Sequence, residues 1–210
     1  MTTSLTTPVR SVVALLIPIL LVLPAMAQAA CDATPKNGCL TAERAQLQVK
    51  NNSNDTKDQL QWKWQQGQEL QQSDLGDPVG TTDYVLCVYD SVVGVPALVA
   101  TLTVPPSGLW QNKDPKGWLY KDKLLSQDGV QQIQLKTGAG DKSAVKLKAK
   151  GATVPMPLPA GPSQFFTQEP VVTVQLNKQG GSGPSTCWTS EFTASQTTKN
   201  DGVQFKANAK

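Results

Sequence analysis

The chain alternates apolar and polar residues over short runs that glycine and proline interrupt. It holds 16 glycines and 15 prolines among 210 residues, and no long stretch keeps the 3.6-residue period of an amphipathic helix. In the clearest run, Leu60, Trp62 and Trp64 alternate with glutamines and a lysine. Because successive side chains of a strand point to opposite faces, this run predicts a strand with one buried and one wet face.

A second run, residues 82–90, is apolar on both faces. Tyr84, Leu86 and Val88 line one side, and the residues between them are also apolar. Such a strand belongs in the middle of a sheet or sandwich. The pattern predicts further strands at residues 46–50, 97–104, 118–121, 130–136, 144–150, 171–176, 186–193 and 203–206.

Two turn signals connect neighbouring strands. Gly138 and Gly140 fall between the strands predicted at 130–136 and 144–150, so these two should form a hairpin. Residues 200–202 read Asn-Asp-Gly and announce a turn into the last strand. We therefore expect an all-β protein with about ten short strands: a single β-sandwich domain over residues 46–210, jelly-roll-like or immunoglobulin-like.

The first 27 residues read as an export signal. Arg10 precedes an apolar run over 12–26, and Ala25-Met26-Ala27 supplies the small residues that a signal peptidase requires, which predicts cleavage before Gln28. A retained membrane anchor is the first alternative, but Pro18 and Pro24 disfavour it. Lipidation of Cys31 is the second, and it would leave an odd number of cysteines. The interpretation places the protein in the periplasm or outside the cell, with no membrane span after signal removal.

Four cysteines follow the export signal, in a compartment where disulfides form. Four cysteines allow three connectivities, and strand placement favours one of them. Cys31 and Cys39 bracket a segment that can turn back on itself, whereas Cys87 and Cys187 lie inside predicted strands. This predicts a local bond, which would close an N-terminal segment over residues 28–45, and a long-range bond between Cys87 and Cys187.

The chain contains no histidine. This removes Ser-His-Asp and Cys-His nucleophile systems and His-ligated metal sites, and the cysteines show no C-x-x-C pair. No metal or other cofactor is predicted. A carboxylate-dependent hydrolase such as a glycosidase stays open as an alternative, with Glu191 and Glu169 as its candidate pair. Calcium binding by Asp74, Asp77, Asp83 and Asp90 is less expected than their use as turn carboxylates.

Lysines form the one notable charge pattern. Lys146, Lys148 and Lys150 share one face of a predicted strand, and Lys142 precedes them. Exposed lysines on an edge strand discourage pairing with other chains, which is one interpretation. Contact with a polyanion or an acidic lipid is the other. The formal net charge of only +3 predicts no nucleic-acid partner.

The five tryptophans raise the question of sugar binding, because aromatic faces can stack on pyranose rings. Trp62 and Trp64 share a face with Leu60, which favours the core. Trp110, in a predicted loop, and Trp118 are the better candidates for a ligand-binding surface, since loops carry function more often than strand interiors do.

Several segments together resemble a group of uncharacterised secreted bacterial β-sandwich proteins. These segments are Asp74-Leu75-Gly76-Asp77-Pro78, Tyr84-Val85-Leu86-Cys87-Val88-Tyr89-Asp90, Gly117-Trp118-Leu119-Tyr120-Lys121-Asp122, Lys146-Leu147-Lys148-Ala149-Lys150-Gly151 and Cys187-Trp188. The resemblance covers residues 47–192. It implies an exported β domain with a Cys87 to Cys187 bond, and it supplies no catalytic residue.

The function expected from the sequence is that of a non-catalytic binding or cell-surface interaction module. Its partner would be a glycan or another envelope protein. The carboxylate-dependent hydrolase and a purely structural envelope component are the alternatives. The hydrolase and the binding module require different surfaces: a hydrolase requires paired carboxylates in a cleft, and a binding module requires an accessible face.

Overall fold

A computed structural model of the chain describes Met1 and residues 30–181 and 185–210. Nearly all of the predicted signal peptide therefore lies outside the described residues. Within the described ranges, no helix is long and apolar enough to cross a membrane. The helical elements there are short 3₁₀ turns at Asp55–Lys57, Gln72–Leu75 and Ala194–Gln196.

The described residues form two antiparallel sheets, as the alternating pattern predicts. The larger sheet has eight strands in the order β11-β12-β1-β2-β8-β7-β6-β5. Its strands are β1 (Ala42–Lys50), β2 (Gln59–Gly67), β5 (Trp110–Asn112), β6 (Gly117–Lys121), β7 (Val130–Lys136), β8 (Ser143–Lys150), β11 (Thr197–Asn200) and β12 (Gln204–Ala209).

The smaller sheet has four strands in the order β10-β9-β3-β4. Its central strand β3 is buried on both faces, as residues 82–90 predict. The strands are β3 (Thr82–Val92), β4 (Val95–Val104), β9 (Val171–Gly180) and β10 (Cys187–Thr193).

The two sheets pack face to face around one apolar core, which makes the fold a β-sandwich. The larger sheet contributes inward residues such as Leu47, Trp62 and Leu147, all essentially inaccessible to solvent. Leu86 and Val174 face them from the smaller sheet. Alternation along each strand thus sends one set of side chains into the core and leaves the other set outside.

All ten predicted strands are confirmed, most of them with an extra residue or more at one end. β1 begins at Ala42, four residues before the predicted domain start at Gln46. The predicted hairpin joins β7 to β8, and the Asn-Asp-Gly turn joins β11 to β12. The sequence missed β5 and β11, which have only three and four residues and show no clear alternation.

The predicted disulfide pairing is wrong. Cys31 bonds to Cys87 and Cys39 bonds to Cys187, so both bonds are long-range and none closes residues 28–45 on themselves. Cys87 lies in β3 and Cys187 begins β10, and these strands are not adjacent because β9 lies between them. Two disulfides fit a protein of an oxidising compartment.

The two bonds fasten residues 30–40, which we call the strap, across the outer face of the smaller sheet. Side chains of that face hold its backbone: the Tyr89 hydroxyl donates to the Asp32 carbonyl at 3.0 Å. The Gln175 amide accepts from the Lys36 N–H and donates to the Lys36 carbonyl, both at 2.8 Å. The strap therefore covers Val85, Cys87 and Tyr89, which form a second, smaller apolar cluster.

Candidate functional site

The outer face of the larger sheet carries cations and amides. In six consecutive strands, from β12 through β1, β2, β8 and β7 to β6, the residues that alternate with the core positions point outward. The outward cations are Arg44, Lys50, Lys63, Lys121, Lys136, Lys146, Lys148, Lys150 and Lys206. The outward amides are Gln46, Gln48, Gln59, Gln61, Gln65, Gln132, Gln134, Gln204 and Asn208.

We call this set of residues the basic face. None of the outward positions from which it is built, all of them in the described part of the chain, is Asp or Glu. The small formal net charge of the whole chain hides this segregation, because the carboxylates lie elsewhere. Such a field attracts anions.

Strand register places the cations and amides in rows across the sheet. Neighbouring strands lie about 4.8 Å apart, so a row over six strands spans about 24 Å. The central row reads, from β12 to β6, Lys206, Gln48, Gln61, Lys148, Gln132 and Lys121.

Two like charges meet directly in the adjacent row. Lys63 of β2 pairs in register with Lys146 of β8, and their neighbours in the row are Gln46 and Gln134. Opposed like charges on paired strands destabilise a sheet unless a counter-charge approaches. The basic face thus carries a local electrostatic cost that an anion would relieve.

The polar groups of the basic face have few partners within the protein. Among the described residues, salt bridges join Lys36 to Asp32 and Lys199 to Asp201, and neither uses a cation of the basic face. Gln46 donates to Asn208 at 2.8 Å. The other outward glutamine side chains make no hydrogen bond within the described ranges, so they are available to a ligand.

Two shallow depressions lie on the basic face, one towards each end of β1 and β2. The first has a volume of about 230 Å³, and Gln48, Gln61 and Lys148 are among its lining residues. The second has about 320 Å³ and is lined in part by Arg44 and Lys63. Gln48 lies four positions after Arg44 along β1, which corresponds to about 14 Å.

The predicted lysine stripe is part of this face, but its strand is not at an edge. Lys146, Lys148 and Lys150 point outward from β8 as predicted, and Lys142 is exposed in the turn before that strand. The interpretation as an edge strand is wrong, because β8 pairs with β2 on one side and β7 on the other. Protection of an edge therefore does not explain the stripe.

The tryptophans predicted to form a ligand-binding surface are buried instead. Trp110 is only 4% exposed and Trp118 only 9%. The Trp110 ring lies between Tyr84 and Tyr120, with ring centroids 5.1 and 5.2 Å away. Trp62 and Trp64 are fully buried, as predicted. All five tryptophans, Trp188 included, thus serve the core rather than a sugar-stacking surface.

The two carboxylates of the candidate hydrolase pair, Glu191 and Glu169, lie in different environments. Glu191 lines a pocket of about 260 Å³ with Ala45 and Thr189, and Glu169 is not among the residues that line it. The Glu169 carboxylate instead accepts a hydrogen bond from the Val93 N–H at 3.2 Å, at the tip of the β3–β4 hairpin. This arrangement gives no support to a shared cleft for the two carboxylates.

Two of the four candidate calcium ligands act as turn carboxylates, whereas Asp90, inside β3, holds the backbone of a distant segment. Asp74 accepts from the Gln71 N–H, and Asp77 accepts from two N–H groups of its own turn. Asp90 accepts from the Thr167 and Gln168 N–H groups at 2.7 and 2.8 Å, although burial raises the pKa of its carboxyl. No group of three or more Cys, Asp and Glu within the described ranges is placed to hold a metal ion.

The sequence marks only the lysines of β8 as a candidate binding surface, although all six strands of the basic face are predicted as strands. Gln46, Gln48, Gln61 and Lys63 alternate with buried residues, so their outward direction was visible in the pattern. What the pattern did not show is that β1, β2 and β8 are neighbours.

Comparison of the chain with protein-family models, with curated proteins and with solved structures found no match to any of them.

Proposed function

We propose that this protein is an exported, non-catalytic binding module that holds a polyanion against the basic face. The observation that carries the proposal is the segregation of charge: nine cations and no carboxylate point outward from six adjacent strands. The strands fix the backbone positions from which these cations project, so the spacing of the charges is set before a ligand binds. The export signal predicted from the sequence and the two disulfides support a site of action outside the cytoplasm.

The experiment measures binding of dextran sulfate to the mature protein by isothermal titration calorimetry at several salt concentrations. Binding should weaken as salt rises, because salt screens exposed charges. Lys148→Glu should weaken binding roughly thirtyfold: each basic residue near an anionic surface contributes about 1 kcal/mol, and charge reversal both removes one attraction and adds one repulsion, about 2 kcal/mol in all.

The control variant is Lys36→Glu, which makes the same change of charge on the opposite side of the molecule. Lys36 belongs to the strap and lies over the outer face of the smaller sheet. Equal weakening by both variants would show that net charge alone attracts the polymer and would contradict a site on the basic face.

A further inference from the structure

The basic face offers as many amides as cations, and this ratio constrains the ligand. A glutamine amide has two donor hydrogens and one acceptor oxygen, whereas a lysine only donates. Gln61 and Gln132 flank Lys148 in the central row, and both have unpaired side chains within the described ranges. A polymer that satisfies this row needs uncharged groups that donate and accept, placed between its anionic groups.

The basic face also lacks the aromatic and apolar side chains that nucleic acids and membranes contact on their binding proteins. No aromatic residue occupies its outward positions, and all five tryptophans are buried. Single-stranded nucleic acids bind by stacking bases on aromatic side chains. Stable attachment to an anionic membrane adds inserted apolar residues to the attraction of cations, and the single large apolar side chain among the outward positions is that of the half-buried Leu119.

We infer that the ligand of the basic face is an acidic polysaccharide, an inference that rests on the proposed function. Its carboxylate or sulfate groups would pair with the lysines, and its ring hydroxyls would donate to and accept from the glutamine amides. Polyphosphate cannot serve the amide oxygens, because it has no donor along its chain. The central row, which crosses six strands, and the two depressions give such a polysaccharide an extended binding surface.

The test compares four probes at equal ionic strength by calorimetry: alginate, polyphosphate, polyglutamate and vesicles rich in phosphatidylglycerol. Alginate should bind more tightly per charge than the other three. In the double variant Gln61→Met/Gln132→Met, alginate binding should fall on the order of tenfold while polyphosphate binding stays unchanged. The double variant keeps every charge, and Gln127→Met in the loop before β7 is the matched single control.

Each other outcome overturns a defined part of the argument. If polyphosphate, polyglutamate or the vesicles bind as tightly as alginate, or if the double variant binds alginate like the wild type, the polysaccharide inference fails while polyanion binding stands. If no probe binds, the proposed function fails as well. Far-UV circular dichroism of the double variant establishes that it is folded.

Discussion

The outer faces of the two sheets both arise from strands with alternating side chains, but one outer face is covered by the chain and the other is open. On the smaller sheet, the side chains of Tyr89 and Gln175 form hydrogen bonds to the strap, and Cys87 and Cys187 bind it covalently. On the larger sheet, the outward lysines and most glutamines have no partner within the described residues. One face is covered by the chain itself and stabilises the fold, whereas the other is kept open at some electrostatic cost. The difference indicates which face is available to another molecule.

The largest expected effect comes from removing the strap's covalent bonds. In the chain-entropy relation, a bond across 148 residues contributes about 5 kcal/mol and one across 56 residues about 4 kcal/mol to the free energy of unfolding. Cys39→Ala/Cys187→Ala should therefore destabilise the protein by roughly 2 to 5 kcal/mol, and Cys31→Ala/Cys87→Ala by slightly less. Urea unfolding followed by tryptophan fluorescence measures both.

A wild-type midpoint in both double variants would contradict the comparison, because the strap would then contribute no stability. Non-reducing peptide mapping of the wild type checks the pairing itself. Peptides that join Cys31 to Cys39 would overturn the arrangement on which this prediction depends.

A smaller effect is expected where one hydrogen bond holds the strap. Tyr89→Phe removes the hydroxyl that donates to the Asp32 carbonyl and leaves the ring in place. The free energy of unfolding should fall by about 1 kcal/mol. Amide hydrogen exchange should increase in the strap and remain unchanged in β1 and β2. An increase spread evenly over both sheets would show that the loss is not local to the strap.

The same hydroxyl makes the strap sensitive to alkaline pH. Burial and the nearby Asp32 charge raise the pKa of Tyr89 above its usual value near 10. Its contribution to stability is therefore complete below the unfolded pKa and is lost as pH rises through the higher folded pKa. The wild type should lose its advantage over Tyr89→Phe as pH increases past about 10. A constant difference between the two proteins across this range would contradict the assignment.

The smallest effect, and one of opposite sign, is expected on the basic face. Lys146→Glu replaces a repulsive pair with Lys63 by an attractive one. The variant should be more stable by a few tenths of a kcal/mol, and about 1 M salt should remove the gain. Lys146→Gln should give a smaller gain. A loss of stability in either variant would mean that Lys146 contributes to folding and not only to an open surface.

The sequence predicted local structure well and non-local structure poorly, for one physical reason. Alternation in residues 60–65 and 144–150 reveals which side chains point outward, because it depends only on the strand itself. That β2 and β8 are neighbours depends on pairing between distant segments. The lysine stripe was therefore assigned to a surface correctly, and its position inside the sheet was missed.

The predictions of an exposed Trp110 and of a Cys31–Cys39 bond were wrong for the same reason. Gly108 and nearby prolines indicate a loop around Trp110, but Tyr84 and Tyr120, which bury it, come from other strands. Cys31 and Cys39 looked like partners because they are close in sequence. Their true partners become near neighbours only when the strap crosses the finished smaller sheet.

The position of the strap at the start of the folded chain sets the order in which oxidative folding can finish. Cys31 and Cys39 are synthesised first, yet Cys39 has to wait for a thiol 148 residues later. In the meantime, the eight-residue separation between them makes their mutual bond the fastest to close. Wherever that bond forms, native protein requires thiol–disulfide exchange to undo it, so we expect an isomerase, more than an oxidant, to set the yield of correctly folded molecules.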